Sequence, residues 1–260
     1  MTTTIFIQMV RAELVKVWRR RSIIGISAFF TIGVILLYFG IQEIQHLAQP
    51  SRYGPAGGVD NFNRATVLLS VFFGSLSAIL IGTEAGTTDL ASGVFRDLVV
   101  TGRERLWLFA VRVPAALIIT MGLCFVALGI SIAGGVALSG DLPAPSASYI
   151  INSALWVCLA EAVLCVIAVG LGSLTGSRAA SLTALIGWQV IAGRLLAMIT
   201  FLGSARDVIP NIALGALKPG HQLPDNNCVT MGAGLAVVIL ALWLFTWLAV
   251  GAWRTRTRDA

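Results

Sequence analysis

The chain alternates between long apolar stretches and short polar connections. Six of these stretches are long enough to cross a bilayer as helices, because about 20 apolar residues span its hydrocarbon core. Helices are favoured over a barrel because the apolar residues run continuously rather than alternating with polar ones. The predicted spans are Ile23–Ile41, Ala65–Gly82, Ala115–Leu138, Tyr149–Thr175, Leu182–Leu202 and Val229–Trp253. This pattern predicts an all-α integral membrane protein with one transmembrane domain over residues 1–260.

The composition excludes several classes of protein. Hydrophobic residues make up 57% of the 260 residues and charged residues only 12%, whereas soluble domains carry about 25% charged residues. A cytosolic enzyme, a nucleic-acid-binding domain and a disordered chain are therefore not expected.

The basic residues are distributed unevenly between the two sides of the predicted bundle. Thirteen of the 18 Lys and Arg residues precede the first span, follow the sixth, or lie between spans 2 and 3 or 4 and 5. Four lie on the other side. Because Lys and Arg accumulate in cytoplasmic loops, both termini are predicted to be cytoplasmic. The net charge of +6 then faces anionic lipid. Arginine outnumbers lysine sixteen to two, which suggests a GC-rich bacterial genome and a bacterial plasma (inner) membrane.

Catalysis by this chain is not expected. Neither Lys16 nor Lys218 ends a P-loop motif, so the chain has no ATP site of that type. His46 and His221 both fall in predicted outer loops, which leaves no H-E-x-x-H zinc motif and no buried histidine relay. No metal site or cofactor is predicted.

Two polar segments on the basic side contain the candidate functional residues. In residues 1–22, Val10, Leu14 and Val17 form an apolar stripe among basic residues, which indicates an amphipathic helix in the membrane interface. Ordinary basic flanking of the first span is the alternative. In residues 83–112, Thr88 or Asp89 is predicted to cap a short helix. A loop of this length suits docking of a cytoplasmic partner.

Both segments resemble the type-2 permease family of ABC transporters, the type V exporter class. The family's N-terminal E-L-x-K-x-x-x-R pattern is matched by Glu13, Leu14, Lys16 and Arg20, with Trp18 in the same predicted helix. In the family, a Glu opens a coupling segment that ends in a P-x-[SG]-R turn. Here Glu84 is that residue and Val100–Arg103 is the turn, with valine in place of proline. The family's short outer or re-entrant helices have a counterpart in residues 203–228, where Pro210 begins an apolar stretch.

The resemblance implies a permease that works as a dimer above two separate ATP-binding subunits, which would bind ATP and Mg²⁺. Such a permease would export an amphiphilic small molecule, a lipid-linked compound or a peptide. The implied ATPase-coupling residues are Glu84, Asp89, Phe95, Arg96, Leu98 and Arg103. The alternatives are a secondary carrier or channel subunit without an ATPase, and a membrane anchor or sensor subunit.

Two ionisable residues fall inside the predicted spans. By helical rise, Glu161 lies ~18 Å from the outer end of span 4 and Arg194 ~12 Å from the outer end of span 5. A lone charge at such depth costs at least ~2.5–3.5 kcal/mol. We therefore predict an ion pair between them, either a structural contact or a polar contact in the translocation pathway. Near the end of span 4, Gly170, Gly172 and Gly176 predict close helix packing.

Overall fold

The computed structural model describes residues 3–91, 93, 104–220 and 231–257. It contains six helices that are long and apolar enough to cross a membrane, as the sequence predicts. These spans 1 to 6 are Arg21–Ala48, Gly58–Leu90, Arg105–Ala137, Ala147–Thr175, Arg178–Met198 and Ala233–Thr257. An N-terminal helix, Thr3–Trp18, precedes them.

Spans 2 and 4 form the centre of the bundle. The most apolar part of each is 67% buried, compared with 22% in span 5 and 17% in span 6. The remaining spans pack around this pair and leave many apolar side chains exposed, as expected of helices that face lipid.

Glycines bring the backbones of spans 2 and 4 close together. A Cβ atom on Gly82 would lie 2.5 Å from the carbonyl oxygen of Cys165, and one on Gly86 would lie 2.6 Å from that of Val169. Gly170 is packed in the same way against the backbone of Trp247 in span 6. Close packing is thus confirmed for Gly170 and for Gly172, where a Cβ atom would lie 3.2 Å from the carbonyl oxygen of Thr83, whereas Gly176 ends the helix in a left-handed conformation.

Spans 1, 2 and 5 each contain one five-residue π-helical segment, Phe29–Gly33, Leu68–Phe72 and Trp188–Ala192. Such segments often occur at functional sites. Two of them are in contact, because the side-chain amide of Gln189 donates to the carbonyl of Val71 at 3.1 Å. The π-helical segment of span 5 therefore packs against span 2.

Span 2 is longer than the sequence indicated. Its helix continues to Ala91, so the prediction that Thr88 or Asp89 caps a separate helix is wrong. The Thr88 hydroxyl instead donates to the carbonyl of Glu84, one turn earlier in the same helix. Burial of Asp89 among basic side chains favours this continuation over a local cap.

The segment after span 5 also differs in part from the prediction. Span 5 ends at Met198 rather than near Leu202, and a 3₁₀ helix follows over Thr200–Val208. Arg206 donates to the carbonyl of Ala197, which satisfies an acceptor at the end of span 5.

The helix predicted to begin at Pro210 is present as Pro210–Ala216, with proline in its first turn. Two indole N–H groups fix this region to the bundle. Trp156 of span 4 donates to the carbonyl of Leu214 at 2.7 Å, and Trp243 of span 6 donates to that of Val208 at 2.8 Å.

Candidate functional site

The face of the bundle that carries both chain ends, here called the basic face, contains a network of ion pairs. The N-terminal helix, the end of span 2, the start of span 3 and the turn between spans 4 and 5 meet there. We call these side chains the charge network: Glu13, Lys16, Arg20, Glu84, Asp89, Arg112 and Arg178.

Asp89 links three elements of the network. Its Oδ2 accepts a hydrogen bond from Arg112 Nη2 of span 3 at 3.0 Å, and its Oδ1 accepts one from Lys16 Nζ of the N-terminal helix at 2.6 Å. Asp89 is 3% exposed and Arg112 is fully buried. Lys16 also donates to Glu13 Oε1 at 2.6 Å. Charge-assisted bonds thus attach the N-terminal helix to spans 2 and 3.

Glu84 lies just over one turn before Asp89 and pairs with different partners. Its Oε1 is 3.3 Å from Arg20 Nε, and its Oε2 is 3.4 Å from Arg178 Nε at the start of span 5. The Thr88 hydroxyl donates to Oε1 at 3.0 Å. Glu84 is buried, but both arginine side chains are about half exposed, so water screens these two pairs more than the pair of Asp89 and Arg112.

Burial also affects the ionisation of Glu13. Desolvation is the main cause that raises the pKa of the Glu13 carboxyl, and the nearby Asp89 carboxylate raises it further, while Lys16 acts in the opposite sense. A raised pKa means that burial favours the neutral acid. The contribution of the Glu13 carboxyl to the stability of the folded chain is therefore fully present at acid pH. It is lost as the pH rises through the raised pKa of Glu13.

The structure brings five of the sequence-predicted residues together in the network: Glu13, Lys16, Arg20, Glu84 and Asp89. Of the other predicted residues of the N-terminal helix, Leu14 packs on a buried apolar cluster and Trp18 is 56% exposed. Phe95, Arg96, Leu98 and Arg103 lie outside the described residues, as does the turn at residues 100–103.

Sequence reasoning missed Arg112 and Arg178 as members of the network. Arg112 follows an apolar run over residues 106–111, and Arg178 follows the short turn after span 4, so nothing in their spacing links them to Glu84 or Asp89. The signal present in the sequence was the position of Glu84 and Asp89 directly after an apolar span. Carboxylates that are buried there require basic partners from other elements.

The predicted ion pair between Glu161 and Arg194 is not formed. Glu161 is 1% exposed, and neither of its carboxyl oxygens has a hydrogen-bond partner within the described part of the chain. The Arg194 guanidinium lies over the ring of Phe72 in span 2, 4.1 Å from its centroid. The prediction assumed that spans 4 and 5 stay adjacent along their whole length, whereas Gln189 and Arg194 in the second half of span 5 contact span 2.

Comparison with known proteins does not assign the chain to a family. No protein-family model matches the sequence, and no curated protein matches it. A functional assignment therefore depends on the six spans, the charge network and the buried carboxyl of Glu161.

Proposed function

We propose that the chain is the permease subunit of an ATP-driven exporter of the ABC type. In this proposal two copies form the translocation pathway, and two separate ATP-binding subunits dock on the basic face. The observation that carries the proposal is the charge network. It attaches the N-terminal helix to spans 2 and 3 through Asp89, and it joins Arg20, just before span 1, to spans 2 and 5 through Glu84, close to the end of span 2 from which residues 92–103 follow in the sequence.

The network provides a route for mechanical coupling. In the proposed mechanism, closure of the ATP-binding subunits displaces residues 92–103, and the continuous helix of span 2 carries that displacement to Asp89 and Glu84. Lys16 and Arg112 then move with Asp89, because removal of a buried charge from its partners is unfavourable. The displacement would thereby reach the N-terminal helix and span 3 together.

The distribution of basic residues supports placing this face in the cytoplasm, with the chain in a bacterial plasma membrane. The ATP-binding partners would then reach cytoplasmic ATP and Mg²⁺. The described spans contain few charged side chains, and such a pathway suits an amphiphilic cargo: a drug-like compound, a lipid-linked molecule or an apolar peptide. Outward movement is the direction that the family resemblance implies.

One observation favours a different function. Glu161 is a buried carboxyl in the middle of span 4, and intramembrane carboxyls are common in proton-driven carriers. The alternative is therefore a secondary carrier that needs no ATPase. A membrane anchor or sensor subunit is a further alternative, but such a subunit would not require the charge network to bind a moving partner.

Replacement of Glu84 by glutamine tests the proposed coupling. We expect the variant to insert and to retain its ATP-binding subunits, because the isosteric amide keeps the side-chain volume. Export of an amphiphilic dye from energised vesicles should fall by about five-fold or more, since the pairs with Arg20 and Arg178 lose their charge.

Glu43→Gln is the matched control, because Glu43 lies towards the opposite face of the bundle in span 1. Export by this variant should equal that of the wild type. Vanadate-sensitive ATP hydrolysis should accompany the wild-type chain through purification from its host. Wild-type export that proceeds without such hydrolysis would favour the carrier, and full export by Glu84→Gln would contradict the coupling role.

A further inference from the structure

Glu161 lies at the midpoint of span 4, in the centre of the bundle. Fourteen residues separate it from each end of the helix Ala147–Thr175, which corresponds to about 21 Å in either direction. The residue is 1% exposed, and both carboxyl oxygens are unpartnered among the described residues. A buried charge without a partner is strongly unfavourable, and the usual response is for the group to become neutral.

Span 2 places a carbonyl oxygen beside this carboxyl. A Cβ atom on Gly74 would overlap both Glu161 Oε1 and the carbonyl oxygen of Leu69, so the two oxygens face the same small space. Leu69 belongs to the π-helical segment Leu68–Phe72. A carboxylate and a carbonyl are both acceptors, but a protonated carboxyl has an O–H that a carbonyl can accept.

Among the described residues, no cation forms a hydrogen bond with the Glu161 carboxyl. The guanidinium of Arg194 in span 5 lies over the ring of Phe72, two residues before Gly74 in the sequence, and makes no such contact with the carboxyl. Within the described part of the chain, the titratable groups whose charge bears on Glu161 are the thiols of Cys158 and Cys165 in span 4 and of Cys124 in span 3. Span 2 has no ionisable side chain from Phe73 to Thr83, and span 6 has none from Ala233 to Trp253. Within the described ranges, no group of three His, Cys, Asp or Glu side chains could hold a metal ion. The group that fits the site is a proton.

We propose that Glu161 is a proton-binding site whose occupancy is linked to the packing of spans 2 and 4. While Gly74 packs against the carboxyl, Glu161 is the neutral acid and the carbonyl of Leu69 is available as its acceptor. Separation of the two spans admits water, and the carboxyl then releases its proton. Because linkage is reciprocal, loss of the proton also favours the separated state. This inference holds with or without an ATP-binding partner.

Labelling with the hydrophobic reagent dicyclohexylcarbodiimide tests the protonation state. A protonated carboxyl transfers its proton to a carbodiimide nitrogen while the carboxyl oxygen bonds to the central carbon. The resulting O-acylisourea rearranges to an N-acylurea that retains the whole reagent. The full chain is labelled in lipid vesicles at pH values well above the range in which an ordinary glutamate titrates. Adducts are located by peptide mass spectrometry.

We expect Glu161 to be labelled about ten-fold or more above Glu43, which serves as the comparison carboxyl nearer the end of span 1. The Glu161→Gln variant should lose this adduct and keep the adducts at other positions. Labelling of Glu161 that is no stronger than that of Glu43, or that disappears over the ordinary glutamate range, would overturn the proposal.

The thermal stability of Glu161→Gln provides a second readout. Glutamine has the shape of the neutral acid and can donate to the same carbonyl, so the midpoint of unfolding should match that of the wild type at neutral pH. A large fall in that midpoint would mean that Glu161 is ionised and paired in the native state, which also contradicts the proposal.

Discussion

Replacement of Asp89 by alanine is expected to lower the free energy of unfolding by about 3–5 kcal/mol. The carboxylate of Asp89 forms an ion pair with Arg112, which is fully buried, and it also binds Lys16. Its loss breaks a buried ion pair of a desolvated guanidinium and removes the charge-assisted bond between Lys16 and span 2. Unfolding of the purified chain by denaturant in a fixed detergent measures this change.

Two further variants separate the ion pair from a general effect of losing an aspartate. Asp141 is exposed, and its replacement by alanine should change the free energy of unfolding by less than ~0.5 kcal/mol. The double variant Asp89→Ala with Arg112→Met should be more stable than Asp89→Ala alone, because it removes the buried charge. A loss below about 1 kcal/mol for Asp89→Ala would show that the charge network does not hold these elements together.

Replacement of Gly82 by alanine should lower the free energy of unfolding by about 1–3 kcal/mol, although alanine is the better helix former. The added methyl group would lie 2.5 Å from the carbonyl oxygen of Cys165 and 2.7 Å from Cβ of Ala168. Backbone and a Cβ atom cannot move aside as a flexible side chain can, so spans 2 and 4 must separate. Thermal unfolding in detergent reports the loss.

Gly122 in span 3 is the matched control, because no atom lies within 4 Å of a Cβ placed there. Gly122→Ala should be neutral, or stabilise the chain by up to ~1 kcal/mol through helix propensity. Equal effects of the two substitutions would contradict close backbone packing between spans 2 and 4. The same packing controls proton release in the proposal for Glu161, so Gly82→Ala should also reduce carbodiimide labelling of that residue.

The sequence predicts the outline of the fold because bilayer thickness sets the length of each apolar stretch. The six spans and the helix that begins at Pro210 follow from local rules of this kind. The end of span 2 does not, because its extension to Ala91 accompanies burial of Asp89 by distant residues. The local preference of Thr and Asp for the N-cap position favoured a separate helix here. The ion pairs of Asp89 with Lys16 and Arg112 accompany a continuous helix instead.

The candidate site was predictable only in part, for a related physical reason. Carboxylates next to an apolar span need partners, but the sequence does not indicate that Arg112 and Arg178 supply them. The predicted pairing of Glu161 with Arg194 was wrong because residues at comparable depths in consecutive spans need not be in contact. Arg194 lies over Phe72 instead, which no spacing rule anticipates. The π-helical segments of spans 2 and 5 change the register of those helices, and the sequence did not predict them either.

Native mass measures whether this chain is, as proposed, the membrane half of an ATP-driven transporter. The tagged chain is purified from its host membranes in mild detergent, and the intact complex is weighed and its subunits identified. We expect two copies of this chain with two ATP-binding subunits. A stable oligomer of this chain alone, with no ATP-binding subunit, would contradict it.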